Sequence, residues 1–406
     1  MIIGFNSDLF LRRPMTGIAN YCFELVRAQQ QLDNQFDYLG FTGVGWRIVD
    51  AEYLAAVAKD HQKNDDGTIQ KPSMAQRLSR KGIDLAAGAA SRMNFARVAY
   101  RAARRNRFSS SFESLKTKFD LFHAFNFQPH GALTAPILPV IYDLSFVRFP
   151  EAHPAERLRA LESLPTTIRQ APLVQTISEF SKREIVEVYG YPADRIFVAP
   201  PAAALRFKPH GDDVTGRDIA EFDLKLRSYF LAVGTLEPRK NLKTLITAYQ
   251  ELPAADRACC PLVIVGAKGW GQLQLPPQSE RMIQDGSLRF IGSIPDGALR
   301  SLYEGATMLL YPSLYEGFGM PVVEALACGT AVAHSVGTSM DEISGPFAIR
   351  VAAEDVKSWT EAMVQALHSG PADAELRRAR RHQSAEFDWQ RSAARVLEAY
   401  RVILHK

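Results

Sequence analysis

Short apolar runs alternate with segments of helical periodicity along this chain. The runs span four or five residues and hold almost no charge, which is typical of parallel strands that are buried on both faces. Between them, apolar residues recur three or four positions apart, as in Leu242, Leu245 and Tyr249, and this spacing predicts helices. The alternation predicts an α/β fold with parallel sheets. The predicted strands are Met1–Phe5, Ile137–Ile141, Val174–Ile177, Ile196–Ala199, Tyr229–Val233, Leu262–Val265, Leu288–Ile291, Met308–Tyr311 and Thr330–His334.

The segment Met308–Gly345 carries the densest candidate chemistry. Its first strand, Met308–Tyr311, is ended by a proline, and a glycine-containing loop and a helical pattern follow. Gly317 and Gly319 have no side chains, so the backbone N–H groups of Phe318–Met320 can approach a polar ligand at the start of that helix. The segment therefore has the local pattern of a ligand-binding turn.

Two carboxylates bracket this turn, Glu316 in the loop and Glu324 about one turn into the helix. A strand, a glycine loop and a helix form a ligand cradle in α/β proteins, although an ordinary connection with solvated glutamates has the same local pattern. The string PSLYEGFGMPVVEALACGTAV, residues 312–332, closely resembles retaining glycosyltransferases of group 1 (family 4), because seven residues separate the two glutamates as in their E-x7-E signature. The resemblance implies the GT-B fold, in which two Rossmann-like domains with parallel sheets face each other across a cleft.

A second motif, GTLEPRKN, follows the predicted strand Tyr229–Val233. Its Arg239 can bind a diphosphate through two parallel hydrogen bonds, and Lys240 adds a compact positive charge. Gly234 lies at the strand end, beside a helix start. These residues resemble the family motif G-x-x-x-x-(R/K)-K-N, which stabilises the leaving nucleotide diphosphate. The alternative interpretation is a pair of solvated basic side chains.

The N-terminal half extends the resemblance. Thr16-Gly17-Ile18 resembles a family loop that faces the phosphates of the donor. Asp120-Leu121-Phe122-His123 resembles a strand end of the family, and Asp143 follows the predicted strand Ile137–Ile141. Ligands lie at strand ends in sheets of this kind, so we expect both residues to face a cleft, and a structural role is the alternative for each. Relatives commonly have a histidine directly before this aspartate, whereas this chain has Tyr142, whose ordinary pKa of about 10 makes it a poor base near neutral pH.

The resemblance implies a role for each matched position. Glu324 would bind the ribose hydroxyls, and Glu316 with the amides of Phe318–Met320 would hold the hydroxyls of the transferred sugar. Arg239 and Lys240, with the amide of Gly17, would neutralise the departing diphosphate. The catalytic residues would be Glu316, Arg239, Lys240 and Asp143, and the donor-binding residues Gly17, Gly234, Arg239, Lys240, Ile294, Phe318, Gly319, Met320 and Glu324.

Retention of configuration would proceed through an oxocarbenium-like transition state, with the acceptor hydroxyl attacking on the face that the phosphate leaves. We expect no protein nucleophile. The sequence contains no Asp-x-Asp motif, so we expect neither a metal nor a cofactor other than the donor substrate.

The length of 406 residues and the apolar content of 47% suit two domains with separate cores. We expect an N-terminal, acceptor-binding domain over residues 1–208 and a C-terminal, nucleotide-sugar-binding domain over residues 209–385, joined by a linker near Lys208–Asp213. The resemblance implies that residues 386–406 form a helical segment that crosses back to the N-terminal domain. Ser178, in a string that resembles the family's SEFSK helix start, is expected to cap its helix.

Charge is distributed unevenly. The region 71–118 holds twelve basic and two acidic residues in a chain whose net charge is +4. It suits a peripheral contact with anionic lipid or a surface for a diphosphate-bearing acceptor, and a solvated helix face remains the alternative. Nucleic acid is not expected, because the aromatic interleaving is sparse and no nucleic-acid motif occurs.

The remaining sequence features concern the compartment. The four cysteines show no metal-like spacing, which favours a reducing compartment. The first residues do not form a signal peptide pattern, and no apolar run reaches the ~18 residues of a membrane span. We therefore expect a cytoplasmic protein, with peripheral location at the inner face of the membrane as an option.

The string Tyr142–Glu151 and the loop before the helix resemble bacterial mannosyltransferases that build surface polysaccharide. The resemblance implies mannose transfer from GDP-mannose to a glycan or polyprenyl-diphosphate-linked acceptor, with UDP-sugars and GDP-deoxyhexoses open as donors. Two other classes remain. A different GT-B enzyme, such as an epimerase or a phosphorylase, would show its own site motif, and none is seen. A non-catalytic nucleotide-sugar-binding relative is made conceivable by Tyr142, and the intact glutamates and cations argue against it.

Overall fold

The structure is a computed structural model that describes residues 1–11, 15–43, 45–65, 94–113, 115, 118–131, 133–269, 275–370 and 373–404. Nine of the strands in these residues occur where the apolar runs predict them, with ends that differ by at most two residues. Leu121–Ala124 contains the expected strand position of His123, whereas Asp37–Phe41, Trp46–Ile48 and Ala348–Val351 are not among the predicted strands. The strands are β1 (Ile2–Phe5), β2 (Asp37–Phe41), β3 (Trp46–Ile48), β4 (Leu121–Ala124), β5 (Ile137–Ile141), β6 (Val174–Thr176), β7 (Ile196–Val198), β8 (Phe230–Val233), β9 (Leu262–Val265), β10 (Leu288–Gly292), β11 (Met308–Tyr311), β12 (Val332–Ser335) and β13 (Ala348–Val351).

Helices connect most of these strands. The helices before β8 are α1 (Gly17–Leu32), α2 (Ala51–Asp65), α3 (Asn94–Glu113), α4 (Ser145–Arg148), α5 (Ala155–Ala160), α6 (Leu164–Gln170), α7 (Glu179–Tyr189) and α8 (Asp212–Ala220). The later helices are α9 (Leu242–Gln250), α10 (Ala254–Cys259), α11 (Ser279–Gln284), α12 (Asp296–Gly305), α13 (Met320–Ala327), α14 (Met340–Ser344), α15 (Val356–His368), α16 (Ala374–Ala385) and α17 (Trp389–Leu404). Within the described residues, none of these helices is long and apolar enough to cross a membrane.

The strands form two sheets. One sheet has the order β3-β2-β1-β4-β5-β6-β7, and the other has the order β10-β9-β8-β11-β12-β13. Pairing is parallel in β1–β2, β1–β4 and β4–β5 and throughout the second sheet, whereas β2–β3 is antiparallel. The α/β class with parallel sheets is therefore confirmed. In both sheets the strand order reverses beside the first strand of the sheet, β1 or β8, which is where such folds bind ligands.

The chain divides into two compact units. The first comprises Met1–Val140, Leu164–Gln175 and Ala393–Lys406, and the second comprises Ile141–Ser163 and Thr176–Ser392. The three domain ranges expected from the sequence stay a prediction. The basic region 71–118 lies largely outside the described residues, although α3 covers part of it.

Aromatic side chains dominate the core of the first unit. Phe41, Phe108, Phe119 and Phe122 pack together with ring centroids 5.1 to 5.7 Å apart in the contacts Phe41–Phe108, Phe108–Phe122 and Phe119–Phe122. Such contacts add stability beyond the burial of apolar area. This cluster packs on the strands of the first sheet.

His123 is part of the interior of the first unit. Its ring is fully buried, stacks on Phe125 with centroids 3.8 Å apart and shares a 2.6 Å hydrogen bond with the hydroxyl of Tyr400 in α17. Burial lowers its pKa to about 3, so the imidazole is neutral. The expectation that His123 faces a cleft was wrong, because Phe125 and Tyr400, the latter 277 positions away in the sequence, pack against its buried ring.

The core of the second unit surrounds its six-stranded sheet. Phe230, Leu245, Tyr249, Leu310 and Trp359 are fully buried there. These side chains fix β8 and β11 against the helices, so the loops that leave the C-terminal ends of these strands start from rigid positions.

Candidate active site

The candidate site lies at the C-terminal ends of two neighbouring strands of the second unit. β8 ends before Gly234, and β11 ends at Tyr311. Gly234 has a φ of 150°, and a side chain at this position would lie 3.3 Å from Cε of Lys240. Glycine is therefore needed for the chain to turn here while Lys240 packs over the turn. Residues from both loops, including Gly234, Lys240 and Tyr311, line a small cavity at these strand ends.

The two predicted cations converge on one carboxylate. Nζ of Lys240 lies 2.6 Å from Oε1 of Glu316, and Nη1 of Arg239 lies 2.9 Å from the same oxygen. The hydroxyl of Tyr311 accepts a hydrogen bond from Lys240 at 2.5 Å and donates one to Glu316 at 3.1 Å. The side chains of these three charged residues are only 10% to 14% exposed. The structure thus brings together residues that are 76 and 77 positions apart in the sequence.

Burial and charge act in opposite directions on this cluster. Burial raises the pKa of Glu316, but the charges of Arg239 and Lys240 outweigh this effect and lower the pKa to about 2. Burial also lowers the pKa of Lys240 below its ordinary value, although Glu316 opposes the change. Burial opposes the charge on Arg239, yet the carboxylates of Glu316, Asp143 and Glu237 raise its pKa. The cluster is therefore an ionised network in which two cations share one carboxylate.

Glu237 is a member of this cluster that the sequence reasoning missed. Its Oε1 lies 2.6 Å from Nη2 of Arg239, and its side chain is only 4% exposed. Nη1 of the same guanidinium also donates to the backbone oxygen of Tyr315. Arg239 is consequently held from three sides. The signal was present in the GTLEPRKN motif, since Glu237 stands two positions before Arg239 at the start of a tight turn.

The glycine loop is held by close packing. A side chain on Gly317 would lie 2.2 Å from the carbonyl oxygen of Tyr142 and 2.8 Å from Cβ of Asp143. Gly319 has a φ of 107°, and a side chain there would lie 2.8 Å from Met340. The hydroxyl of Ser339 donates to the carbonyl oxygens of Glu316 and Phe318 at 2.9 and 2.8 Å. These contacts fix the backbone that leads into α13.

The amides of Phe318, Gly319 and Met320 lie at the start of α13, where the helix dipole favours negative charge. The side chain of Phe318 is buried and meets Phe387 edge to face at 5.3 Å, so this residue contributes its backbone to any site. These amides therefore lie at a helix start, as the glycines of the loop predict. Their contact with a sugar stays a prediction.

Asp143 lies beside the cation cluster, because its charge acts on Arg239. Its Oδ1 accepts hydrogen bonds from the amide and hydroxyl of Ser145 at 3.0 and 2.7 Å. The amide of the next residue, Leu144, donates to the hydroxyl of Tyr315 at 3.1 Å. The loop that carries Asp143 is thereby tied to the loop that carries Glu316.

Ser178 caps α7 as expected, since its hydroxyl accepts the amide of Ser181 at 3.0 Å. It also donates to the carbonyl oxygen of Gly317 at 2.7 Å, while the hydroxyl of Ser181 donates to the carbonyl oxygen of Tyr142 at 3.1 Å. The cap therefore has a second task that the sequence did not reveal. It joins the Asp143 loop to the glycine loop.

Glu324 occupies a different environment from Glu316. It is half-buried and accepts a 2.9 Å hydrogen bond from the hydroxyl of Tyr303. Burial raises its pKa to about 8, with a further contribution from the charge of Asp296 and an opposing one from Arg206. Arg206 and Asp296 form an ion pair with each other. Folding thus lowers the pKa of Glu316 and raises the pKa of Glu324, although both glutamates belong to one motif.

Ile294 lies half-buried between β10 and α12, two residues before Asp296. Gly17 lies in the first unit, where it begins α1 behind the capping hydroxyl of Thr16. The parts of Ile294 and Gly17 in donor binding stay predictions. In the described ranges, no three His, Cys, Asp or Glu side chains are grouped so as to hold a metal ion.

Known proteins resemble this chain over nearly its full length. The profile of the family "Glycosyl transferases group 1" matches residues 218–383. "O-antigen chain mannosyltransferase B" of Escherichia coli is 30% identical over 396 residues, which are 97% of this chain and 98% of that protein.

Solved structures share the fold. HepE of Anabaena in complex with UDP-glucose has a TM-score of 0.66 at 13% identity and covers 98% of this chain and 99% of its own. WaaG, a glycosyltransferase involved in lipopolysaccharide biosynthesis, has a TM-score of 0.60 at 16% identity and covers 99% of this chain and 99% of its own. The likeness confirms the GT-B architecture. The chain belongs to the group 1 glycosyltransferases.

Proposed function

We propose that this glycosyltransferase transfers mannose from GDP-mannose to a hydroxyl of a lipid-linked or oligosaccharide acceptor in polysaccharide biosynthesis, with retention of the anomeric configuration. The observation that carries the proposal is the convergence of Arg239 and Lys240 on Glu316 at the ends of β8 and β11. A nucleotide sugar supplies the groups that this cluster lacks. Its diphosphate is an anion for the two cations, and its sugar hydroxyls are partners for the carboxylate.

The charge distribution suggests how the reaction proceeds. The bond between the anomeric carbon and the diphosphate oxygen breaks, and negative charge grows on that oxygen. Arg239 and Lys240 stabilise this charge, since they are preorganised and shielded from water. The acceptor oxygen forms its bond to the anomeric carbon on the same face, and its proton passes to the departing diphosphate.

Glu316 and Asp143 are proposed as polar supports for this step and not as nucleophiles. Glu316 is engaged with two cations, and Oδ1 of Asp143 with Ser145, so each has partners that hold it in place. Both lie in loops that hydrogen bonds connect to each other. We propose that they bind hydroxyls of the donor sugar while the amides of Phe318–Met320 complete its binding.

The donor assignment has two supports. The E. coli relative that aligns over nearly the whole chain is named as a mannosyltransferase. The second support is Asp296, whose carboxylate acts on Glu324, the proposed ribose-binding residue. We propose that this carboxylate accepts hydrogen bonds from the base of the donor, because guanine offers two adjacent N–H donors and uracil only one. The second candidate is a UDP-sugar, which the structural likeness to HepE in complex with UDP-glucose favours.

The proposal is tested by incubating the protein with GDP-mannose or UDP-glucose and a panel of mannose-terminated oligosaccharides. We expect mannose transfer, and an α linkage by NMR because GDP-mannose is an α-glycoside. Transfer from UDP-glucose and not from GDP-mannose would show that the donor is a UDP-sugar and that the transferred hexose is not mannose. A β-linked product would overturn retention, and binding of nucleotide sugars without turnover across the panel would favour the non-catalytic alternative.

A further inference from the structure

Tyr315 is a buried residue to which neither the family motifs nor the proposed function gives a role. It stands directly before Glu316 in the chain, and only 5% of the residue is exposed. Its carbonyl oxygen accepts a hydrogen bond from Nη1 of Arg239, the same nitrogen that lies 2.9 Å from Oε1 of Glu316. The backbone of Tyr315 therefore belongs to the cation cluster of the candidate site.

The hydroxyl of Tyr315 reaches a different loop of the site. It accepts a hydrogen bond from the amide of Leu144 at 3.1 Å and donates one to Oε2 of Glu184 in α7 at 3.3 Å. A phenol oxygen can donate one hydrogen bond and accept another, so both of its functions are used. Because Leu144 directly follows Asp143, this one residue connects the loop of Asp143 to the cation cluster.

The surroundings of Tyr315 hold its side chain in place. Glu184 is bound by Arg148 through two hydrogen bonds of 2.8 Å, from Nε and Nη2, so the acceptor of the tyrosine hydroxyl is itself fixed. The aromatic ring meets Phe149 and Phe180 edge to face, with centroids 5.9 and 5.3 Å apart. The hydroxyl is therefore a rigid anchor for the amide that it binds.

Buried tyrosine hydroxyls can also serve stability alone. The hydroxyl of Tyr249, for example, donates to two backbone carbonyl oxygens of the same unit, both at 3.1 Å. Tyr315 differs because it stands next to Glu316 and its hydrogen-bond partner Leu144 stands next to Asp143. Its hydroxyl thus links the two carboxylates that are proposed to bind the sugar of the donor.

We propose that Tyr315 is a positioning residue whose hydroxyl fixes the loop of Asp143 relative to Glu316, so that both carboxylates meet the donor sugar. This inference rests on the proposed function, because it needs a sugar whose hydroxyls bind these two residues. When the hydroxyl is removed, Arg239 keeps the carbonyl oxygen of Tyr315, and Arg239 and Lys240 keep Glu316. The hydroxyl therefore acts on the transfer step and leaves the binding of the diphosphate unchanged.

Tyr315→Phe tests the proposal, because it removes the hydroxyl and keeps both the ring and the carbonyl oxygen. With GDP-mannose and a mannose-terminated oligosaccharide, we expect kcat to fall at least about tenfold, up to the ~100-fold that a misplacement of about 1 Å costs. Calorimetry should give the wild-type affinity for GDP. A wild-type kcat would overturn the proposal, and so would a loss of GDP affinity as large as the loss in kcat.

Tyr249→Phe is the matched control, since it also removes a buried hydroxyl of the second unit. We expect this variant to have a lower thermal midpoint than wild type but the same kcat and the same affinity for GDP. A fall in kcat as large as that of Tyr315→Phe would show that any lost buried hydroxyl has this effect, and it would overturn the proposal.

Arg148→Gln weakens the same link from its other end, because it releases Glu184 from a side chain that is 34% exposed. We expect a smaller fall in kcat at the wild-type affinity for GDP. In the double variant with Tyr315→Phe, kcat should fall no further than in Tyr315→Phe alone, because the hydroxyl is already gone. Effects that multiply would contradict the proposal. If Tyr315→Phe fails to fold, an unchanged kcat in Arg148→Gln overturns it.

The outcomes separate this inference from the proposed function. Mannose transfer by the wild-type protein together with a wild-type kcat in Tyr315→Phe would overturn the role of Tyr315 and leave the proposed function intact. A wild-type protein that transfers neither mannose from GDP-mannose nor glucose from UDP-glucose would overturn the proposed function, and this inference with it.

Discussion

The carboxylate of Glu316 lies 2.6 Å from the ammonium group of Lys240, and Arg239 approaches the same oxygen at 2.9 Å. One loop supplies the carboxylate and another supplies both cations, so the contact holds two strand ends in a fixed relation. The protein's own contacts orient the two cations and shield them from water. This preorganisation is what electrostatic catalysis requires.

The depressed pKa of Glu316 predicts acid sensitivity of the second unit. Because the pKa falls from 4.5 to about 2 on folding, the ionised carboxylate stabilises the fold above pH 4.5, and this stabilisation is lost as the pH falls towards 2. The shift corresponds to about 3 kcal/mol. We expect the thermal midpoint of Glu316→Gln to be below that of wild type at pH 6 and the gap to narrow as the pH falls from 4.5 towards 2. The control variant Glu361→Gln, in which the lost partner is an exposed lysine, should have the same pH dependence of the thermal midpoint as wild type. Parallel curves of thermal midpoint against pH for Glu316→Gln and wild type would contradict the interpretation.

Glu237→Gln tests the orientation of Arg239. The substitution keeps the side-chain shape but removes the charge that holds Nη2 at 2.6 Å. Because a negative charge that competes with the diphosphate is lost, we expect GDP-mannose to bind no more weakly. Because the guanidinium is less well oriented, we expect kcat to fall about tenfold, which corresponds to ~1.4 kcal/mol of transition-state stabilisation. Steady-state kinetics and calorimetry measure the two quantities. A weaker Kd with an unchanged kcat would show that Glu237 acts in binding instead.

Gly317→Ala tests the contact between the two loops of the site. Its methyl group would lie 2.2 Å from the carbonyl oxygen of Tyr142, so the Asp143 loop must move. We expect a loss of about 1–3 kcal/mol in stability and a larger relative loss of activity, because the loop carries a predicted catalytic residue. Gly297→Ala is the matched control, since it lies in α12 with open space around the added methyl group. Equal behaviour of the two variants would contradict the packing argument.

The raised pKa of Glu324 predicts the opposite pH response from that of Glu316. Because burial raises the pKa from 4.5 to about 8, the stability that the protonated carboxyl contributes is complete below pH 4.5 and is lost as the pH rises through 8. We expect Glu324→Gln, which stays neutral, to gain in thermal midpoint relative to wild type between pH 6 and 9. Glu324→Ala should be less stable than both, because the Tyr303 hydroxyl loses its acceptor. A pH-independent difference between Glu324→Gln and wild type would contradict the raised pKa.

Local sequence patterns were sufficient for much of the fold and part of the site. The strand β11, the glycines of the following turn and the cap at Ser178 depend on nearby residues, and all were predicted. Arg239, Lys240 and Glu316 stand in motifs, and the structure places them in contact.

What sequence reasoning missed depends on tertiary contacts. His123 lies in a strand as expected, but Tyr400, which is 277 positions away, covers it, and no local pattern reveals this contact. Glu237 could have been recognised from its two-residue spacing to Arg239, whereas its burial could not.

Calorimetric binding of GDP-mannose to wild type, Arg239→Ala and Lys240→Ala tests the central claim most directly. The exposed positions Arg378→Ala and Lys357→Ala serve as matched controls. We predict that wild type and both controls bind GDP-mannose alike and that each site variant loses at least about tenfold in affinity, since a charge-assisted hydrogen bond contributes ~1.5–3 kcal/mol. Wild-type affinity in Arg239→Ala and Lys240→Ala would contradict the claim that these two cations hold the diphosphate of the donor.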